Sequence, residues 1–247
     1  MMENKSTLTL WTIVSEQDYP LLEFTLTDAL SSEAVSHIII LSTGPSKPVK
    51  FGRYASRHEK VREFYQYFGN GFDLPVEQGG FNQIAARNHA LSLAEKTTAS
   101  WLMQIDADDY YLPEFFQQIV TLDKDFDAIL CSSVNLLSEN EYWNKNQGEF
   151  TNPHIRVWRT SLAKRFKICD ISSCNQLNFT GHCGVDFSYH PYWKIFLQKK
   201  FVHFHLHGIL GKKNTNRWQS AVARIDLEVH RGLMFCIKQI RNYATQH

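Results

Sequence analysis

The 247-residue chain lacks a long apolar run, a Cys-x-x-Cys pair, an internal repeat and any marked excess of charge. Each absence removes a class of protein. No uninterrupted apolar stretch approaches membrane-spanning length, so no transmembrane helix is expected. The opening Met1-Met2-Glu3-Asn4-Lys5 has neither the apolar region nor the small-residue cleavage site of a secretory signal, and a cytoplasmic location is expected. The cysteines are Cys131, Cys169, Cys174, Cys183 and Cys236. An odd count without close pairs opposes a closed disulfide framework and fits reduced, mostly buried thiols. Cys174, His182 and Cys183 match no common zinc spacing. The formal net charge of +1 removes the global basic field of a nucleic-acid binder and leaves room only for local contact.

What remains is an ordinary globular composition. Hydrophobic residues make up 43% of the chain, enough for one substantial core with a small appendage. Leu8 to Val14 reads as a strand, Ser15 to Pro20 as a turn and Leu21 to Leu30 as a helix with Leu22, Leu26 and Leu30 on one face. His37 to Leu41 is a second buried strand. Strand, helix and strand in this order begin a parallel sheet.

The stretch from Lys47 to Arg62 is basic and reads as a solvated loop and helix face, with phosphate contact as the lesser alternative. Gly79-Gly80 breaks the chain before a helix over Asn82 to Ala94. Trp101 to Ile105 is a further strand, Pro113 to Val120 a helix and Asp127 to Cys131 a short strand. Beyond about Ser138 the pattern changes. Segment 138–153 is polar and aromatic. His154 to Trp158 is expected as an antiparallel strand and Ser161 to Arg165 as a helical turn. Segment 169–184 is irregular. Phe187 to Lys199 is expected to be helical despite Pro191, Phe201 to Leu206 a strand, and Ala221 to Tyr243 a long terminal helix.

The most informative stretch is Trp101-Leu102-Met103-Gln104-Ile105-Asp106-Ala107-Asp108-Asp109. A buried strand ends in three carboxylates within four positions. Ligands of open α/β sheets bind at the carboxyl ends of strands. Crowded carboxylates repel unless a cation or hydrogen bonds offset them, and hard cations such as Mg²⁺ and Mn²⁺ favour oxygen ligands. The plain structural alternative is that Asp108 or Asp109 caps the helix opened by Pro113. A second pattern is Phe201-Val202-His203-Phe204-His205-Leu206-His207-Gly208. Alternation places His203, His205 and His207 on one strand face, and histidine is a common transition-metal ligand.

Gly79-Gly80-Phe81-Asn82-Gln83-Ile84-Ala85-Ala86-Arg87-Asn88, the acidic strand end and Leu112-Pro113 together resemble the family 2 glycosyltransferases of the GT-A fold. The resemblance is specific over about residues 80–116. It implies an α/β fold: a Rossmann-like, mixed but mostly parallel sheet flanked by helices, with a C-terminal acceptor-side extension. Residues 1–135 would form the nucleotide-sugar-binding core, and 136–247 the acceptor-binding and C-terminal part of the same domain.

The implied activity is metal-dependent transfer of a sugar from a nucleotide donor, UDP-linked by default, to an acceptor hydroxyl. Asp108 would hold Mn²⁺ or Mg²⁺ on the donor diphosphate, and Asp106 would contact the ribose or the sugar. Asp109 would bind metal through water or hold the loop. Arg87 would approach the nucleotide or the first acid, with a structural ion pair to Asp106 as the compatible alternative, and Asn88 would shape the same wall. Thr12, Val14 and Glu16 are candidates for base and ribose contact. Ser42-Thr43 stands where many members carry an Asp that reads uracil. His205, then His207, would add a metal ligand, and Lys212 with Lys213 would close over the diphosphate. Asp186 is the candidate base, with a helix N-cap as its plain alternative; as the base it would give inversion.

The expected acceptor is a carbohydrate or lipid-linked precursor of a bacterial surface glycan. A hydroxymethylated base in phage-type DNA is the alternative, with residues 47–62, Lys212, Lys213 and Arg217 as phosphate contacts. Three other classes compete. A phosphatase of the haloacid dehalogenase type would place its nucleophilic Asp on the first strand. A nucleotidyltransferase would want a Gly-rich loop after that strand, which Ser15-Glu16-Gln17-Asp18 does not offer. A non-catalytic sugar-nucleotide-binding module would keep the fold without the reaction.

Overall fold

Leu8–Val14 forms β1, and all of it but Ile13 is buried. A strand covered on both faces reads as a continuous apolar run, which is why this segment is legible. The computed structural model describes residues 6–70, 74–122, 125–136, 141–143, 154–163, 179–180, 186–187, 193–206, 222–224 and 237–238. After β1 come α1 (Leu22–Thr25), α2 (Thr27–Ser31), β2 (Val35–Ser42), α3 (Arg53–Arg57), β3 (Val61–Tyr65), α4 (Gln83–Ala94), β4 (Trp101–Gln104), β5 (Asp109–Tyr111) and α5 (Pro113–Thr121). The second half holds β6 (Ala128–Leu136), β7 (Glu141–Trp143), β8 (His154–Arg159), α6 (Thr160–Ala163), β9 (Phe179–Thr180), β10 (Asp186–Phe187), β11 (Ile195–His205) and β12 (Val222–Arg224).

Among the described residues one large sheet runs β12-β7-β6-β8-β4-β1-β2-β3, with β11 paired to both β6 and β5. β1 is parallel to β2 and β4, and β2 to β3. β8 enters antiparallel between β4 and β6. The result is the mixed, helix-flanked GT-A sheet. Leu10, Val14, Ile40 and Met103 face a core completed by Leu22, Leu26, Phe115 and Ile119. The alternate positions Trp11, Ile39, Leu41 and Leu102 pack against Ala90, Leu91 and Ala94 of α4. Period-2 alternation thus sends each strand's side chains into two layers.

Several expectations are corrected. The helix over 21–30 is divided at Leu26, between α1 and α2, after a 3₁₀ turn at Tyr19–Leu21. Val61 and Arg62, expected at the end of the basic stretch, instead open the edge strand β3, whose charged and largely half-buried residues carry a weak strand signal. β6 runs five residues past Cys131, because Ser132, Ser133 and Asn135 are buried and paired despite their polarity. The helix expected over 187–199 is absent from the described part: Asp186–Phe187 pairs with Phe179–Thr180, and residues from Ile195 onward belong to β11. β11 includes the strand expected from Phe201, extends it back to Ile195, and slips register between Leu197 and Phe201 and again before His203. Val222–Arg224, expected to be helical, pairs antiparallel with β7. Ile237–Lys238 is helical, and the rest of the expected terminal helix lies outside the described residues.

Candidate functional site

Val14, Ser42 and Gln104 end three parallel strands at one edge of the sheet. The acids begin one residue beyond Gln104, after Ile105. Asp106 to Asp109 form a closed turn: the Asp109 amide donates to the Asp106 carbonyl at 3.1 Å, and the Asp106 amide donates to Asp109 Oδ2 at 3.3 Å. The chain then enters β5. The cap of α5 is Leu112, with Pro113 in the first turn and no side-chain cap, so neither Asp108 nor Asp109 caps that helix.

β5 pairs antiparallel with β11, which sets His205 opposite Asp109 and His203 opposite Tyr111. The Leu206 amide donates to the Asp108 carbonyl at 2.9 Å and fixes the far end of this pairing. His205 Nδ1 lies 2.8 Å from Asp109 Oδ1 and 3.7 Å from Asp108 Oδ1. Ligand atoms of Asp108, Asp109 and His205 all lie within 4.8 Å of one another. Two carboxylates and an imidazole are a donor set that suits Mn²⁺ and also admits Mg²⁺ through the oxygens, so the residues fit the implied cation. Asp109 is buried, whereas the His205 side chain keeps 25% of its exposure, so the cluster opens on the His205 side. Behind it, His203 stacks on Tyr111 with ring centres 4.4 Å apart and holds Nε2 at 3.9 Å from Asp109 Oδ1.

Asp106 faces two guanidinium groups. Arg87 Nη2 reaches Oδ1 at 3.4 Å and Arg156 Nη2 reaches Oδ2 at 3.0 Å. Arg87 comes from α4, whose first turn is capped by Asn82 Oδ1 accepting from the Ala85 amide at 2.9 Å. Arg156 comes from β8 and was not singled out in the sequence. Burial opposes ionisation of Asp106, but Arg156 and then Arg87 outweigh it and hold its carboxyl below the ordinary range. Burial likewise disfavours the charged form of His205. The charge of Asp108 and the bond to Asp109 prevail and push the imidazole up to about 9.

The other expected residues are spread along the same edge or lie elsewhere. Thr12 is buried within β1, and its hydroxyl donates to the Ile13 carbonyl at 3.4 Å. Val14 and Ser42 are register partners, and the Thr43 hydroxyl donates to the Val14 carbonyl at 3.2 Å. Glu16 is exposed in the following turn. Asn88 Nδ2 donates to the Ile84 carbonyl inside α4. Asp186 lies in strand β10, so it does not cap a helix. His207, Lys212, Lys213 and Arg217 lie outside the described residues. Arg156 left no signal in the sequence beyond being a charged residue inside an apolar strand pattern.

Among the described residues no helix is long and apolar enough to cross a membrane. No curated protein matches the sequence. Crystal structures of S. aureus TarS share the fold. Residues 1–349 of that protein superpose with a TM-score of 0.51 at 11% identity, over 83% of this chain and 62% of that one. The same region in complex with UDP-GlcNAc gives 0.51 at 12% identity, over 80% of this chain and 58% of that one. This chain therefore spans less than two thirds of the length of those structures. The family model for glycosyl transferase family 2 matches residues 56–184, just over half of the chain, including α4, the acid turn and Arg156. The chain belongs to glycosyl transferase family 2.

Proposed function

We propose that the protein moves a sugar from a nucleotide donor to an acceptor hydroxyl with the help of Mn²⁺ or Mg²⁺. The observation that carries this reading is the Asp108, Asp109 and His205 cluster at the carboxyl edge of a family 2 sheet. A divalent cation bound there supplies Lewis-acid stabilisation of the negative charge that grows on the departing diphosphate. Asp108 and His205 present ligand atoms on the open side of the cluster. Asp109 sits beneath them and orients the imidazole through its 2.8 Å contact. Asp106, held by Arg87 and Arg156, is a fixed anion for the ribose or sugar hydroxyls of the donor. Thr12, Val14, Glu16, Ser42 and Asn88 are the candidates for the nucleoside wall, and Lys212 for the diphosphate. Asp186 takes the acceptor proton, and attack on the face opposite the leaving group inverts the anomeric centre.

UDP is the first donor to test, because the structure of S. aureus TarS with UDP-GlcNAc shares this fold. The favoured acceptor is a glycan precursor. The DNA alternative has less support: Arg53 and Arg57 both lie near Glu23, Lys60 Nζ donates to the Leu30 and Ser32 carbonyls, and Lys47 sits over the Phe51 ring. A phosphatase reading is weakened because both oxygens of the first acid already accept from guanidinium groups.

A screen of nucleotide release from UDP-sugars, with and without Mn²⁺, tests the proposal on wild type and Asp108→Ala. The substitution should lower metal-dependent turnover by at least about 100-fold, the size expected for loss of a transition-state charge partner. The far-UV circular dichroism should not change. Equal turnover by the two proteins would refute the role of Asp108.

A further inference from the structure

We infer that Arg156 is a positioning residue for the cation site, acting through Asp106. This rests on the glycosyltransferase reading above and extends it to a residue that neither the motif nor the family match singles out.

Arg156 is 4% exposed and belongs to β8, which is locked between β4 and β6. Its neighbour Val157 pairs with Met103 on one side and Ile129 on the other. The guanidinium is thus mounted on the centre of the sheet. Arg87, by contrast, is mounted on α4. Each takes a different oxygen of Asp106, and the Arg156 contact is the shorter, at 3.0 Å against 3.4 Å. A carboxylate held at both oxygens from two separate elements cannot rotate about its terminal bond.

The hold continues outward. Asp106 is closed onto Asp109 by two hydrogen bonds, at 3.1 and 3.3 Å. Asp109 in turn contacts His205 at 2.8 Å. A path of short polar contacts therefore runs from the rigid sheet through Asp106 and Asp109 to the imidazole, and Asp108 sits within the same turn. Charge works in the same direction. Three acids crowd four positions, and the second buried guanidinium offsets repulsion that Arg87 alone would leave in place. Buried cations demand such pairing, so the two needs satisfy each other.

The experiment uses Arg156→Gln and Arg156→Lys, each alone and combined with Asp106→Asn. Mn²⁺ binding is measured by electron paramagnetic resonance, together with kcat and KM for nucleotide release. Arg156→Gln should weaken Mn²⁺ binding by about tenfold or more, the usual size for loss of a group that supports a ligand. Arg156→Lys should recover part of that loss, because it keeps the charge but not the fork of donors. In the Asp106→Asn background, Arg156→Gln should change Mn²⁺ affinity by less than about twofold, because the partner it acts through is gone.

Unchanged Mn²⁺ affinity in Arg156→Gln overturns the inference, and so does an equal loss in both backgrounds. Should Arg156→Gln not fold, Arg156→Lys and the Asp106→Asn/Arg156→Gln double variant still decide it, since the double variant removes both members of the 3.0 Å pair. A wild type that binds Mn²⁺ but releases nucleotide from no sugar donor sinks the glycosyltransferase reading alone. A wild type that does not bind Mn²⁺ overturns the Arg156 assignment as well.

Discussion

As a proposed metal ligand, His205 carries two demands that pull against each other. In the metal-free fold it holds a proton up to about pH 9, because burial is outweighed by Asp108 and by the bond to Asp109. A protonated imidazole cannot bind a cation. Metal binding must therefore expel that proton, and affinity should climb with pH. Between pH 6.5 and 8.5 the Mn²⁺ affinity of wild type should rise by close to tenfold per unit, while His205→Gln should show a flatter slope. Calorimetry in buffers of different ionisation enthalpy would count the proton, and a release of none would refute the assignment. Stability of the metal-free protein moves the other way. A histidine raised above its unfolded value of about 6.5 stabilises the fold fully below that pH and loses that contribution as pH climbs through about 9. The melting temperature of wild type should thus exceed that of His205→Gln near pH 6 and converge on it above pH 9.

At the scale of the element, what could be read in advance followed burial and local chemistry. β1, β2 and β4 are apolar runs covered on both faces, and α4 and α5 begin at an asparagine cap and a proline. Those signals sit within a few residues of one another. The misread elements depend on distant partners. Ile195 to Leu197, read as helix, are strand because β6 pairs with them ahead of a broken register, and no local period records that. Arg156 meets Asp106 only after β8 has folded back beside β4, so their contact has no sequence spacing to betray it.

The entry to α4 offers a measurable consequence. Asn82→Ala removes the acceptor of the Ala85 amide and should cost about 1 kcal/mol, lowering the melting temperature by roughly 2–4 °C. Gly80→Ala should be worse, because its new Cβ would lie 1.8 Å from the Leu74 carbonyl oxygen and the backbone must move. Thermal melts of the two variants check the order, and the reverse order would show that the loop before α4 yields easily.

For the whole molecule, the division of labour follows the sheet. The parallel strands β1, β2 and β4 and the acid turn gather at one edge from residues before 110, where the family motifs lie. The later half contributes β8 and β11, which bring Arg156 and His205 to that edge by pairing rather than by motif. On the proposed reading the later half faces the acceptor and needs only to suit it, whereas the donor edge must always grip a diphosphate. That separation makes a test of the base. If Asp186 removes the acceptor proton, it contributes nothing to holding nucleotide or cation. Asp186→Asn should then bind UDP and Mn²⁺ within about twofold of wild type and keep slow donor hydrolysis, yet lose transfer to acceptor by about 100-fold or more. Binding by calorimetry and transfer by product analysis would separate the two effects. Full transfer by Asp186→Asn would move the base to another acid, and lost UDP binding would place Asp186 on the donor side of the cleft instead.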